Sequence, residues 1–117
     1  MKSLALLLIA LGVSAGAFGA HGLKDFVTPE RLEVFKTASN YQITMSLVLL
    51  FLSTESQLRK GILYLLSAGI LIFSCSLYLL VLLNLPILGA ITPIGGVAII
   101  ISLVLSAAGV WKKKAYR

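Results

Sequence analysis

The sequence predicts an all-α membrane protein: a compact antiparallel bundle of four transmembrane helices with both termini on the cytoplasmic side. Three observations lead there. Of 117 residues, 59% are hydrophobic and 12% charged, with a mean hydropathy of +1.03, whereas charged residues make up about a quarter of an ordinary soluble domain. The charges cut the chain into uncharged runs long enough to cross a membrane. The basic residues are also divided unevenly between the two sides that these runs define.

The first run, Ser3 to Leu23, lies between Lys2 and Lys24 and suits a hydrocarbon core that takes about 20 helical residues to cross. Its start, Met1-Lys2, a Leu-rich stretch and then Ala15-Gly16-Ala17, also has the layout of a secretory signal. A retained first helix is preferred, because the remaining segments need a membrane in either case. Gly12, Gly16, Gly19 and Ala20 are its small residues. Gly12-xxx-Gly16 and Gly16-xxx-Ala20 fall on one stripe, which lets helix backbones approach closely in lipid. Packing within the bundle is the first expectation, and dimerisation through the same stripe the second.

The second run, Thr37 to Thr54, is preceded by Thr28-Pro29-Glu30. This supplies an N-cap residue, a proline at the first helical position and an acid in the first turn, so a helix is expected from 29 to about 54, its first two turns amphipathic at the membrane surface. The third run, Gly61 to Trp111, carries no charge; as one helix it would reach about 75 Å, too long for a single crossing. Asn84-Leu85-Pro86 breaks it, since proline disfavours helix in the residue before it and Asn favours turns. Two helices follow, near 61–83 and 87–111. Thr92-Pro93 offers either a true start for the last helix or a kink within it. The kink is preferred, eased by Gly89, whose carbonyl would face the proline ring. The chain has room for one compact unit, 1–117.

With the amino terminus inside, Lys2, Arg59, Lys60, Lys112, Lys113, Lys114 and Arg117 are cytoplasmic and Lys24, Arg31 and Lys36 external, as the positive-inside rule requires. The net charge of +6 is spread over short flanks instead of being gathered with aromatics on one face, which excludes nucleic acid as the partner. Anionic lipid headgroups are the expected counterpart, with Trp111, Lys112, Lys113 and Lys114 as anchors and Tyr116 beside them. Cys75 is the sole cysteine, which rules out an intramolecular disulfide and a cysteine metal cluster; it is expected to be a small buried hydrophobe.

Assigning depth by alternating crossings places most intramembrane polar residues in the outer half. His21 ends the first helix there, Tyr41 and Gln42 lie about a turn inside the second, Ser74, Ser76 and Tyr78 occupy the outer half of the third, and Asn84 and Thr92 lie at the outer turn. A polar cluster of His21, Tyr41, Gln42, Ser76, Tyr78 and Thr92 is expected, because unpaired polar groups in lipid are costly. His21 is the one side chain whose ordinary pKa suits a proton carrier near neutral pH. A structural role, bonded to Tyr41, Gln42 or a backbone group so as to lock two helices, is preferred for it over a ligand, proton or metal contact. The inner half is aliphatic apart from Ser67, Ser102 and Ser106, which suit bonds to their own helix backbones. No carboxylate lies deep in a span, and no serine has a base beside it. The sequence therefore predicts no enzyme, metal or cofactor.

Gly16-Ala17-Phe18-Gly19-Ala20-His21, Tyr41-Gln42, Phe73-Ser74-Cys75-Ser76-Leu77-Tyr78 and Thr92-Pro93-Ile94-Gly95-Gly96, in this order and at these intervals, resemble the small membrane proteins of the domain-of-unknown-function 423 family. The resemblance runs through nearly the whole chain and implies a four-helix membrane protein of undefined activity. One position departs from it: the family commonly has a histidine three residues after Tyr-Gln, where this chain has Met45. A mechanism needing two histidines is thereby excluded here, whereas packing tolerates Met. The expected function is that of a non-enzymatic protein of the bacterial plasma membrane that acts through helix packing with lipid or protein partners, a second copy among them, in support of envelope integrity. The alternative is a small-molecule or lipid transport component that uses the outer polar zone.

Overall fold

The structure, a computed structural model, describes residues 1–115, with side chains as far as Lys112. It is all-helical. Helix α1 (Lys2–Phe18) runs on into a π-helical turn (Gly19–Leu23); α2 (Pro29–Leu52), α3 (Lys60–Leu83), a 3-10 turn (Pro86–Ala90) and α4 (Thr92–Ala115) follow.

Local chemistry sets the boundaries. Thr28 caps α2, its side chain accepting from the Arg31 N–H at 3.2 Å, with Pro29 in the first turn. Asn84 ends α3 in the left-handed region (φ 52°, ψ 48°), its N–H returning to the Leu80 carbonyl, a common way of closing a helix. The Pro93 expectation needs correction. The chain from Pro86 to Ala90 is a 3-10 turn, and α4 begins only at Thr92. Pro93 thus lies in a first turn, where its missing N–H removes no bond, and there is no helix before it to kink.

Three segments, Lys2–Leu23, Lys60–Leu83 and Pro86–Lys112, are long and apolar enough to cross a membrane. Helix α2 matches them in length but carries charged first turns and several polar residues. Three of those polar residues face inward, Ser39, Gln42 and Ser46 being buried, whereas Thr37, Asn40 and Thr44 are exposed. Leu6, Leu7 and Leu11 of α1 and Val97, Ile100 and Val104 of α4 are exposed, an apolar exterior that suits lipid and not water.

Extensive helix interfaces are sequential, α1 with α2, α2 with α3 and α3 with α4. The end helices therefore bury one narrow seam each. On α1 it is Ala5, Leu8, Gly12, then Gly19 and Leu23 of the π-helical turn; on α4 it is Gly95, Ile99, Ser102 and Ser106, both at the three-and-four spacing that returns to one helix face. The main core joins Ala5 and Leu8 to Leu49, Leu66, Ile70 and Ile99, and a smaller cluster holds Leu23, Phe35 and Val81. Cys75 is exposed, contrary to expectation, because it lies off the faces that α3 turns to α2 and α4.

Candidate functional site

The polar centre of the molecule is built on α2. Gln42, 5% exposed, donates from Nε2 to the Leu8 carbonyl of α1 at 2.7 Å and accepts at Oε1 from the Tyr78 hydroxyl of α3 at 2.7 Å. One amide thus ties three helices together, each of its ends answering a different neighbour. One turn earlier, the Ser39 hydroxyl donates to the Gly12 carbonyl at 2.7 Å. Ser74 of α3 donates to the Ala38 carbonyl at 3.3 Å. Aromatic contacts flank these bonds, with Phe35 and Tyr78 rings 4.9 Å apart and Tyr41 and Phe73 rings 5.1 Å apart.

Small residues on α1 make this possible. A Cβ added at Gly12 would lie 2.8 Å from Ile43 Cγ1, one at Gly16 would lie 2.8 Å from Ser39 Oγ, and one at Gly19 would lie 2.8 Å from the Phe35 ring. Side chains of α2 occupy the space that α1 vacates. Ala20 is exposed and takes no part in that seam.

Not all six residues of the expected cluster come together. Gln42 and Tyr78 bond directly. Ser76 and Thr92 share a hydrogen bond of 2.7 Å, but that pair links α3 to α4. Tyr41 is exposed and meets Phe73. His21 is exposed on the π-helical turn, and its side chain has no hydrogen bond among the described residues. The physical reason is depth. Helix α2 starts at Pro29, so Gln42 lies about 20 Å up its axis at 1.5 Å per residue, opposite the middle of α1. Gly19, beside His21, meets Phe35, about 10 Å along α2 from Gln42.

Ser67, Ser102 and Ser106 donate to Leu63, Ala98 and Ser102 carbonyls at 2.8, 2.7 and 2.8 Å, satisfying themselves on their own helices. Ser46 is fully buried, and its hydroxyl has no partner among the described residues. Trp111 and Lys112 are exposed at the end of α4, while the side chains of Lys113 and Lys114, together with Tyr116 and Arg117, lie outside the described residues.

Two features escaped the sequence reading. Arg31, counted there as an external surface charge, donates through its guanidinium to the Val81 carbonyl in the last turn of α3, where helix carbonyls lack intrahelical partners. Nothing in the sequence pairs residues so far apart. Gly69 and Gly95 bring α3 and α4 together at the backbone: a Cβ on Gly95 would lie 2.5 Å from Phe73 N and 2.9 Å from Gly69 O. Glycines at the spacing of an otherwise apolar seam were the available signal.

An all-helical protein with membrane-length apolar helices and a polar middle consumed by helix-to-helix bonds is a small membrane protein of the packed-helix class. The chain belongs to the family described as "Protein of unknown function (DUF423)", whose profile matches residues 15–96. Similar curated proteins are the UPF0382 membrane protein SAB0533 of Staphylococcus aureus, 42% identical over 99 residues and covering 81% of each chain, and the UPF0382 membrane protein YwdK of Bacillus subtilis, 42% identical over 101 residues and covering 81% of this chain and 82% of its own. The UPF0382 membrane protein SSP2132 of Staphylococcus saprophyticus is 41% identical over 106 residues, covering 87% of this chain and 88% of its own. No solved structure matches the chain.

Proposed function

We propose that this chain is a non-enzymatic packing element of the bacterial plasma membrane, a four-helix antiparallel bundle with both termini in the cytoplasm, which supports envelope integrity through its outward helix faces. The observation that carries this reading is the use of Gln42: both ends of its buried amide are engaged by neighbouring helices, so the polar zone serves cohesion. Alternation of direction is supported by the order of contacts, Gly12 with Ile43, Gly16 with Ser39 and Gly19 with Phe35. The cytoplasmic placement of the termini rests on the seven-to-three division of basic residues. Lipid or protein partners meet the exposed aliphatic faces of α1 and α4.

Photocrosslinkers at Leu7 and at Val104, in native membranes, test the role. Capture of lipid, of a second copy or of one discrete membrane protein is the expected outcome, and the absence of any adduct to another molecule counts against it. Orientation is tested by single cysteines in a Cys75→Ser background: Asp25→Cys is expected to label from outside and Ser56→Cys from inside, and the reverse pattern overturns the topology.

A ligand-binding reading has one observation in its favour. A groove of about 290 Å³ is lined by Leu8 and Leu11 of α1, Gln42 of α2, and Ile70, Ser74 and Tyr78 of α3. A small apolar molecule retained through purification, and lost in Leu11→Trp, would favour this alternative.

A further inference from the structure

The end of the molecule at which α1 and α3 begin carries a half-open cleft of about 490 Å³. Three separate segments line it: Lys2 and Ser3 of α1, Ser53, Glu55 and Ser56 between α2 and α3, and Lys60 at the start of α3. Two lysines and three serines therefore border one space. Glu55 is the sole acid among these residues; its carboxylate accepts from Gln57 Nε2 at 2.7 Å, and its single negative charge is outweighed by Lys2 and Lys60. Neither Lys2 nor Lys60 has an ion-pair partner among the described residues; the ion pair found there, Lys36 with Glu33, belongs to α2's first turns. Arg59, adjoining Lys60, adds to the positive field.

The position of the cleft says what kind of anion fits. Lys2 and Lys60 each open a segment of membrane-crossing length and composition, so the cleft lies where apolar helix gives way to water, the depth of lipid headgroups. Next to it Tyr64 lines the wall and is exposed, offering an amphipathic ring at the interface. We propose that this cleft seats the phosphate of an anionic glycerophospholipid, Lys2 and Lys60 neutralising it from two sides, the Ser3 and Ser56 hydroxyls donating to its oxygens while Ser53 donates to the Leu50 carbonyl, and the acyl chains descending along the outer faces of α1 and α3. This names the lipid class for the packing role proposed above and rests on that reading.

The test uses the full chain in neutral detergent, with phosphatidylglycerol as probe, phosphatidylcholine as the uncharged control and glycerol 1-phosphate as the soluble phosphate. Phosphatidylglycerol is expected to bind about 30-fold more tightly than phosphatidylcholine, two basic residues contributing about five-fold each. Lys2→Gln with Lys60→Gln is expected to abolish that preference and Lys2→Arg with Lys60→Arg to keep it. The same change of charge at Lys24→Gln with Lys36→Gln is expected to leave it intact. Equal losses in both glutamine pairs would mean that net charge alone attracts the lipid, overturning the site. Displacement of phosphatidylglycerol by glycerol 1-phosphate at equal concentration would assign the cleft to a soluble phosphate and overturn the lipid. Should the glutamine pair not fold, the wild type decides: a preference that persists unchanged as the Debye length shrinks from about 10 Å to about 3 Å with added salt overturns an electrostatic site. A stable bundle indifferent to phosphatidylglycerol sinks the cleft alone, while the packing role stands or falls on the crosslinks at Leu7 and Val104.

Discussion

The first and last helix pairs solve the same problem in different ways. Where α1 meets α2, glycines on one helix receive side chains of the other, and the visiting groups bond back to the vacated backbone: Ser39 to the Gly12 carbonyl and Gln42 to the Leu8 carbonyl. Where α3 meets α4, glycines face each other and the backbones themselves touch, Gly95 against Gly69 and Phe73. Among the described residues, polar bonding there is confined to the Ser76 and Thr92 hydroxyls near the end of the interface. The first arrangement is cohesive and adjustable, because side chains rotate. The second is close-fitting and unforgiving, because nothing between the two backbones is free to move.

Substitutions should separate the two. The largest effect is expected for Gly95→Ala, whose added methyl would meet main-chain atoms of α3 at 2.5 and 2.9 Å; a loss of about 3 kcal/mol is expected on unfolding in mixed micelles. A loss below about 1 kcal/mol would mean that α4 seats itself on α3 by some other surface.

Next comes Gln42→Leu, which leaves the Tyr78 hydroxyl without its acceptor at a cost of about 2 kcal/mol. Adding Tyr78→Phe should recover part of that loss, since removing both partners is far less costly than orphaning one. Strict additivity in this double-mutant cycle would show the amide and the phenol to be energetically independent.

Gly12→Ala should cost less, about 1 kcal/mol, because the atom it meets is Cγ1 of the Ile43 side chain and not main chain, so small shifts of that side chain share the strain. A penalty equal to that of Gly95→Ala would erase the distinction between an adjustable and a rigid seam. The smallest effect is expected for His21→Leu, within about 0.5 kcal/mol as for other exposed positions away from special features. A much larger loss, in thermal unfolding at neutral pH, would place His21 in a bonded cluster after all.

Much of the architecture was legible because it depends on solvent and covalent geometry. The uncharged runs, the Thr28-Pro29 start and the Asn84-Leu85-Pro86 break are local signals, and α1, α2 and α3 begin and end within a few residues of where those signals put them. Thr92-Pro93 was equally local but open to two readings, and only the 3-10 turn before it decided between a start and a kink. The small-residue stripe on α1 was recognisable from its spacing, although spacing alone did not name α2 as the helix that fills it. Cys75 shows the same gap: a hydrophobic thiol suits a core or an apolar exterior equally well, and the rotation of α3 left it exposed.

What the sequence determined by itself is the list of helices and their affinity for a membrane, since both follow from composition and from residues a few positions apart. Which polar residue answers which was decided by tertiary structure. Gln42 meets Leu8 and Tyr78, and Arg31 meets Val81, across tens of residues of chain, because the vertical offset and the rotation of each helix are fixed by packing. An offset of a few residues, about 1.5 Å each, was enough to carry His21 out of the polar centre and to make Gln42 its hub.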